Sequence, residues 1–192
     1  MWRRHTTILV ILGGLMLGFV AIAVRIKEPS YGGRPLGSWL AELDLESSHP
    51  GQQAVCAVQH IGTNAFPMLT SMIRSTDPLW EQGVLALDAR QLFLRIPVTP
   101  SSVFRNRAVQ GYMALGPRAK QNVPELIRLL ETEASPQVRS SVAAALGGIG
   151  PEAKSAIPAL MKATQDVSAE VRKESFWALA NIQRWSLDRL SF

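Results

Sequence analysis

Apolar residues recur at intervals of three and four along most of the chain after residue 37, which is the pattern of helices that bury one face. The segment from Val138 to Ile149 shows this spacing most clearly, with small alanines between the larger residues. The pattern also repeats. A shift of 34 residues places the segment from Phe104 on the segment from Val138, and a further shift of 33 reaches Val171. A fixed period of this length predicts a helical solenoid.

Glycine and proline punctuate each repeat at the same places. Under the 34-residue shift, Gly116-Pro117 falls on Gly150-Pro151 and Pro124 falls on Pro158. Glycine ends a helix readily because it adopts the left-handed conformation without a Cβ clash, and proline is tolerated in the first helical turn. We therefore predict two helices per repeat, one before and one after each Gly-Pro pair. The predicted helices cover residues 38–45, 52–61, 67–73, 77–95, 101–116 and 153–164, with Ser135 and Ser168 as N-caps.

The residues shared by the repeats read V-R-x-x-x-x-x-A-L-x-x-I, followed by G-P-x-A-x-x-A-I-P-x-L. This pattern resembles the HEAT-type repeat, including the variety first associated with phycobilisome lyases, over residues 101–183. A looser likeness covers residues 61–73, where the segment between Gly62 and Pro67 is three residues shorter. Residues 31–43, together with IGTNAFP, resemble N-terminal parts of uncharacterised bacterial repeat proteins that carry a membrane segment. The resemblance implies an all-α fold, an α-solenoid of about three and a half helix pairs.

The chain divides into three predicted parts. Residues 1–27 form a membrane anchor or signal segment, residues 28–37 a linker, and residues 38–192 the repeat domain. Within that domain, residues 38–100 are irregular and include an insertion over 77–99, where two prolines interrupt the helical pattern. Residues 101–183 hold the regular repeats, and residues 184–192 form a C-terminal cap.

The first part is set apart by an apolar run. Residues 6–24 contain no charged side chain and are long enough to cross a bilayer as one helix. We interpret the run as an uncleaved anchor in the cell membrane, with the repeat domain on the extracytoplasmic side. The alternative is a signal peptide cleaved near Ala23, which would leave a secreted or periplasmic protein. The two arginines and the amino terminus before the run, against one arginine and one lysine after it, give a small positive-inside bias for the chosen orientation.

The net charge of +5 has little to do with the repeat domain. Four of the 20 basic residues flank the apolar run, and all 15 acidic residues come after it, which leaves 16 basic against 15 acidic residues from Glu28 onward. Such a balance lacks the broad basic surface of a nucleic-acid-binding protein. A helical-repeat nucleic-acid-binding protein is therefore the weakest of the functions considered.

No arrangement of residues in the sequence has the spacing of a catalytic or metal site. The histidines are isolated from one another, and the His-Glu pairs of iron-binding helical-repeat hydroxylases are absent. The single cysteine, Cys56, has apolar neighbours at helical spacing and is predicted to be a buried packing thiol. We therefore expect no enzyme activity, no cofactor and no metal.

Two features are candidates for binding a partner. Arg107, Arg118 and Lys120 belong to a stretch of six basic residues without an acidic one, which would form a positive patch if their side chains lay together. Arg105, Arg139 and Arg172 occupy equivalent repeat positions and are predicted to have a structural role instead. Phe176 and Trp177 replace alanines of the preceding repeat.

Trp177 is thus predicted to be either an exposed anchor for a partner or part of the terminal cap. The function that the sequence favours is a non-catalytic protein-binding scaffold tethered to a membrane, whose partner it does not identify. The alternative implied by the repeat resemblance is an enzyme similar to chromophore lyases.

Overall fold

A computed structural model describes residues 28–43, 51–76 and 99–187, with side chains as far as Gln183. Within these ranges the chain forms one hairpin of two antiparallel strands with two residues each, β1 (Ser30–Tyr31) and β2 (Arg34–Pro35). The helices of the same ranges are α1 (Leu36–Leu43), α2 (Gln52–Ile61), α3 (Phe66–Ile73), α4 (Ser101–Leu115), α5 (Val123–Thr132), α6 (Pro136–Ile149), α7 (Ile157–Ala163) and α8 (Ala169–Leu187).

The prediction of two helices per repeat is confirmed, and a 3-10 turn that was not predicted from the sequence joins them, beginning at the glycine. The glycine that follows α2, α4 and α6 has a positive φ in each case, 59° at Gly62, 51° at Gly116 and 79° at Gly150. The turn that begins at Gly62 spans four residues, whereas the turns that begin at Gly116 and Gly150 span seven. The three-residue deficit seen in the upstream sequence therefore shortens the turn and leaves the unit intact.

Several helix limits match their prediction and others differ. α2 has the predicted limits, and Ser135 caps α6 by accepting a hydrogen bond from the amide of Val138 at 3.4 Å. The helix predicted over 153–164 begins only at Ile157, because the residues before it form the 3-10 turn. Pro158 then occupies the first helical turn, where its missing N–H costs nothing.

The predicted linker over 28–37 contains the hairpin, and α1 begins at Leu36 instead of residue 38. The start of α1 is held by two hydrogen bonds, from the Gly37 amide to the Glu28 carboxylate at 2.6 Å and from the Leu36 amide to the Pro29 carbonyl at 2.9 Å. Residues before 28, residues 44–50 and 77–98, and residues after 187 lie outside the described ranges. The predicted anchor, most of the insertion and the end of the predicted cap fall on those residues.

The core is continuous because neighbouring repeats share it. α6 lies between α4 and α8 and contacts both. α5 packs against α6 and α7, and α7 packs against α8. α4 also contacts α1, α2 and α3, which joins the irregular N-terminal part to the regular repeats. No helix here buries its apolar face alone, so the stacking of repeats creates the core. Its largest fully buried side chains include Leu36, Leu40, Leu69, Tyr112, Leu126, Leu146, Leu160 and Ile182.

The repeated arginines have the structural role that their positions predict. Arg139 donates hydrogen bonds to the carbonyls of Glu133 and Ala134, and Arg172 donates to the carbonyls of Asp166 and Val167. Each arginine therefore holds the loop that precedes its own helix. Arg139 also reaches the next repeat, since its guanidinium forms a two-point ion pair with the Asp166 carboxylate at 2.9 Å.

A partly buried polar cluster joins α3, α4 and the 3-10 turn before α5. The hydroxyl of Tyr112 accepts a hydrogen bond from the Asn122 amide at 2.6 Å and lies 3.0 Å from the hydroxyl of Thr70. Burial raises the pKa of Tyr112 from 10.0 to about 12, an effect that the hydrogen bonds with Thr70 and Asn122 partly offset. The phenol therefore stays neutral at physiological pH and fixes these three elements relative to one another.

We expect Tyr112→Phe to lower the free energy of unfolding by about 1 kcal/mol at neutral pH, because the half-buried Asn122 amide and Thr70 hydroxyl lose their hydrogen bonds to the phenol. The folded pKa is raised, so the parent chain loses stability as the pH rises from 10.0 towards about 12, and the variant lacks this loss. The difference in free energy of unfolding between the parent and the variant should therefore decrease at alkaline pH. Urea unfolding at neutral and alkaline pH measures it, with Tyr31→Phe at the exposed tyrosine as control. Equal stability at neutral pH would contradict the assignment.

Candidate partner-binding face

The helices α4, α6 and α8 lie side by side, and their equivalent positions form rows on one surface, which we call the second-helix face. Each of its members is half-buried or exposed. Equivalent positions of stacked repeats point the same way, so the rows form one extended surface. The rows are Arg107, Ser141 and Glu174; Gln110, Ala144 and Trp177; and Ala114, Gly148 and Asn181.

Two glycines near the end of α6 bring large apolar side chains onto this face. A Cβ atom at Gly147 would lie 2.7 Å from Cζ3 of Trp177 and 2.7 Å from Cα of Ala178, so α8 approaches the backbone of α6 directly. A Cβ atom at Gly148 would collide with the side chain of Met113 on α4. Met113 and Trp177 thus flank the end of α6 from its two sides, and we include the exposed Met113, which adjoins Ala114, in the second-helix face.

Met113 and Trp177 each keep 39% of their surface exposed. An aromatic ring and a thioether held on either side of a strip of glycine and alanine form a shallow apolar surface. Tryptophan and methionine are enriched at the centres of protein interfaces. The arrangement suits contact with an apolar side chain of another protein.

The opposite end of the same helices is polar. Around the first turns of α4, α6 and α8 lies a cleft of about 230 Å³. Its polar lining includes Ser102, Asn106, Gln137, Ser141 and Glu170. Arg105 also borders the cleft, but its guanidinium is committed to the Ser75 carbonyl and the Ser101 hydroxyl. The second-helix face therefore runs from charged and uncharged polar groups at one end to apolar groups at the other.

Trp177 was predicted to be either an exposed anchor for a partner or part of the terminal cap, and its surroundings have features of both. One side of its ring packs on Gly147, and the remainder is exposed. Phe176 beside it is 61% exposed, although the equivalent Ala143 is buried in the preceding repeat. The side chains of the predicted cap lie outside the described residues, so the structure leaves the cap as a prediction.

The three basic candidates are not brought together by the fold. Arg107 is half-buried on α4, about 12 Å before the end of that helix at 1.5 Å per residue. Arg118 and Lys120 lie in the 3-10 turn beyond it. Arg118 donates a 2.7 Å hydrogen bond to the Gln59 carbonyl, and Lys120 pairs with Glu152 at 3.2 Å. These two bridge successive repeats, and only Arg107 belongs to the second-helix face.

Cys56 is exposed, and the prediction of a buried packing thiol is wrong. The buried face of α2 consists of Ala54, Ala57, Val58 and Ile61, and Cys56 lies on the other side of the helix. The apolar residues near Cys56 in the sequence belong to the buried face of α2, whereas Cys56 itself does not. In the part of the chain that the structure describes, no group of three or more histidine, cysteine or acidic side chains could hold a metal ion.

A second apolar surface lies at the N-terminal end and was not anticipated. It is a groove of about 760 Å³ whose lining includes Pro29, Pro67, Met68 and Met72. The methionines belong to α3, and Pro29 lies just before the hairpin.

None of the helices within the described ranges is long and apolar enough to span a bilayer. The apolar run over 6–24 is not among those ranges.

The comparison with protein families identifies the repeats. Residues 96–190 match the family model described as HEAT repeats. The match covers both complete regular repeats and α8, and it agrees with the helix–turn–helix units described above. Residues 96–190 are therefore similar to HEAT repeats, and the helices described in this region have the all-α solenoid arrangement typical of such repeats. Among curated proteins, none matches this chain.

Proposed function

We propose that this chain is a non-catalytic HEAT-repeat scaffold, tethered to a membrane by residues 6–24, that binds a protein partner on its second-helix face. The observation that carries the proposal is the pair of half-exposed side chains, Met113 and Trp177, set around Gly147 and Gly148. HEAT repeats generally mediate protein–protein interactions, and a solenoid offers a long surface for them.

The chemistry of the face indicates the kind of partner. Its apolar end would take one or two large apolar side chains, and its polar end offers hydroxyl and amide groups for main-chain or side-chain hydrogen bonds. A helix or an extended segment with apolar residues at one end fits this gradient. The basic residues Arg118 and Lys120 contribute little in this account, since both already bridge repeats within the chain.

The membrane part of the proposal comes from the sequence. The uncharged run over 6–24 has the length of a spanning helix and has basic residues on both sides. We place the repeat domain on the extracytoplasmic side, because an N-terminal segment of this kind commonly exports the domain attached to its C-terminal end. The scaffold would then hold its partner close to the membrane surface.

Capture experiments with the full chain from native membranes test the binding face. We expect Trp177→Ala and Met113→Ala each to reduce recovery of the same partner about tenfold, the effect of losing about 1.4 kcal/mol of binding free energy. Met161→Ala is the matched control, because Met161 is 59% exposed on α7, outside the second-helix face. Equal loss of the partner in the Met161 variant, or no loss in the other two, would contradict the proposal.

A further inference from the structure

We propose that the hairpin surface, formed by Tyr31 and Arg34 over Trp39, rests on the lipid headgroups of the bilayer that holds the anchor. The inference rests on the proposed membrane tether and adds a second, direct contact between the repeat domain and the lipid. The solenoid would then stand on the membrane by its N-terminal end, with its later repeats directed away from it.

The connection between the apolar run and the repeat domain is short. The apolar run ends at Val24, and the chain is bound to the repeat domain from Glu28 onward, since the Glu28 carboxylate accepts a hydrogen bond from the Gly37 amide at 2.6 Å. Four residues of fully extended chain span at most about 14 Å. The headgroup layer beyond the hydrocarbon core is about 6 Å thick on each side. The hairpin comes directly after Glu28, so it lies at or near this layer.

The hairpin surface carries an exposed aromatic ring and an arginine. Tyr31 is 40% exposed and stacks on His60 with ring centroids 4.7 Å apart. The guanidinium of Arg34 lies 3.7 Å from the centroid of the Trp39 ring, and the indole N–H of Trp39 donates to the Tyr31 carbonyl at 3.2 Å. Trp39 is itself buried and serves to hold Arg34, whereas the exposed ring of Tyr31 has a polar edge that favours the membrane–water interface, and arginine pairs with phosphate.

The surrounding charges are consistent with contact to anionic lipid. Arg25 and Lys27 precede the hairpin in the sequence. Of the acidic side chains near the hairpin that the structure describes, Glu28 bonds to the Gly37 amide and Glu42 pairs with Arg34 at 3.0 Å. The apolar groove lined by Pro29, Met68 and Met72 adjoins the hairpin and extends the apolar part of this end. Basic, aromatic and apolar groups therefore meet at the end of the domain nearest the anchor.

Site-specific quenching in vesicles of phosphatidylcholine and phosphatidylglycerol tests the proposal. Cys56→Ser removes the only cysteine, and Ser30→Cys then places a fluorescent label on the hairpin without changing Tyr31 or Arg34. The control label is at Val167→Cys, where the side chain is 98% exposed in the loop before α8. We expect a phospholipid with a headgroup quencher to reduce the emission at position 30 at least about twofold and to leave position 167 unchanged.

A second variant distinguishes contact of the Tyr31 and Arg34 side chains with the headgroups from simple closeness of the hairpin to the bilayer. With Tyr31→Ala and Arg34→Gln added, quenching at position 30 should fall towards the value at position 167, while thermal unfolding reports whether the fold is kept. Unchanged quenching in this folded variant would overturn the proposal, as would equal quenching at positions 30 and 167. Flotation of the same vesicles measures the tether by itself. A chain that floats without quenching overturns only the hairpin contact, whereas a chain that fails to float overturns both proposals.

Discussion

Replacing Gly147 with alanine is expected to lower the free energy of unfolding by about 2 kcal/mol. The new Cβ atom would lie 2.7 Å from Cα of Ala178, which belongs to the backbone of α8. Relief therefore requires the whole of α8 to move, and α8 makes the most extensive contact in the fold with α6. In a helix without neighbours the same substitution would stabilise by about 1 kcal/mol, so even the sign of the change is informative. Thermal or urea unfolding followed by circular dichroism measures it.

Gly148→Ala is the matched control for this prediction. Its Cβ atom would meet Cγ of Met113 and lie 3.4 Å from Cα of Met113, so Met113 must change rotamer, but the α4 backbone lies farther away than the α8 backbone lies from Gly147, and we expect a smaller loss of stability. The rotation would displace one of the two apolar groups of the second-helix face and should weaken partner binding instead. A stabilised Gly147 variant, or equal destabilisation of the two, would show that α6 and α8 are not packed as closely as described.

The second large effect is expected at Arg139. Arg139→Gln should cost about 2 kcal/mol, because the Glu133 and Ala134 carbonyls and the Asp166 carboxylate all lose a charged donor. Both members of the ion pair are largely buried, so solvent screens the interaction only weakly. The control is Arg128→Gln on the exposed face of α5. Arg128 pairs with Glu125 in solvent, and we expect no measurable change there.

The same ion pair predicts a dependence on pH. The hydrogen bond from Arg139 holds the pKa of Asp166 below its ordinary value of 3.8, and the bond from the Ser168 amide adds to this effect. A carboxylate with a depressed pKa stabilises the fold above its unfolded pKa and loses that contribution as the pH falls through the folded pKa. The stability difference between the parent and Arg139→Gln should therefore be full at neutral pH and shrink below pH 3.8. A difference that stays constant in acid would contradict this assignment.

The repeat architecture was predictable from sequence because its signals are local. Helical spacing, the Gly-Pro pairs and the equivalence of Arg105, Arg139 and Arg172 all emerge when the sequence is shifted on itself by one repeat. The start of α7 was not predictable in the same way. Whether residues after Gly150 form an α-helix or a 3-10 turn depends on packing between repeats, which the periodic pattern does not report.

The candidate site was only partly predictable. Trp177 stood out because it replaces an alanine of the previous repeat, whereas Met113 gave no such signal until its contact with Gly148 was seen. Arg118 and Lys120 looked available because their partners, the Gln59 carbonyl and Glu152, belong to neighbouring repeats. Contacts between repeats therefore decided which candidates belong to the face.

The most direct test of the scaffold account is photo-crosslinking from the second-helix face in intact membranes. A photoreactive amino acid is placed at position 177 or 113 of the full chain, and at position 161 on α7 as control. The account predicts that positions 177 and 113 yield the same protein adduct and that position 161 yields none. An adduct equally strong at all three positions, or adducts only at position 161, would contradict a partner bound on the second-helix face.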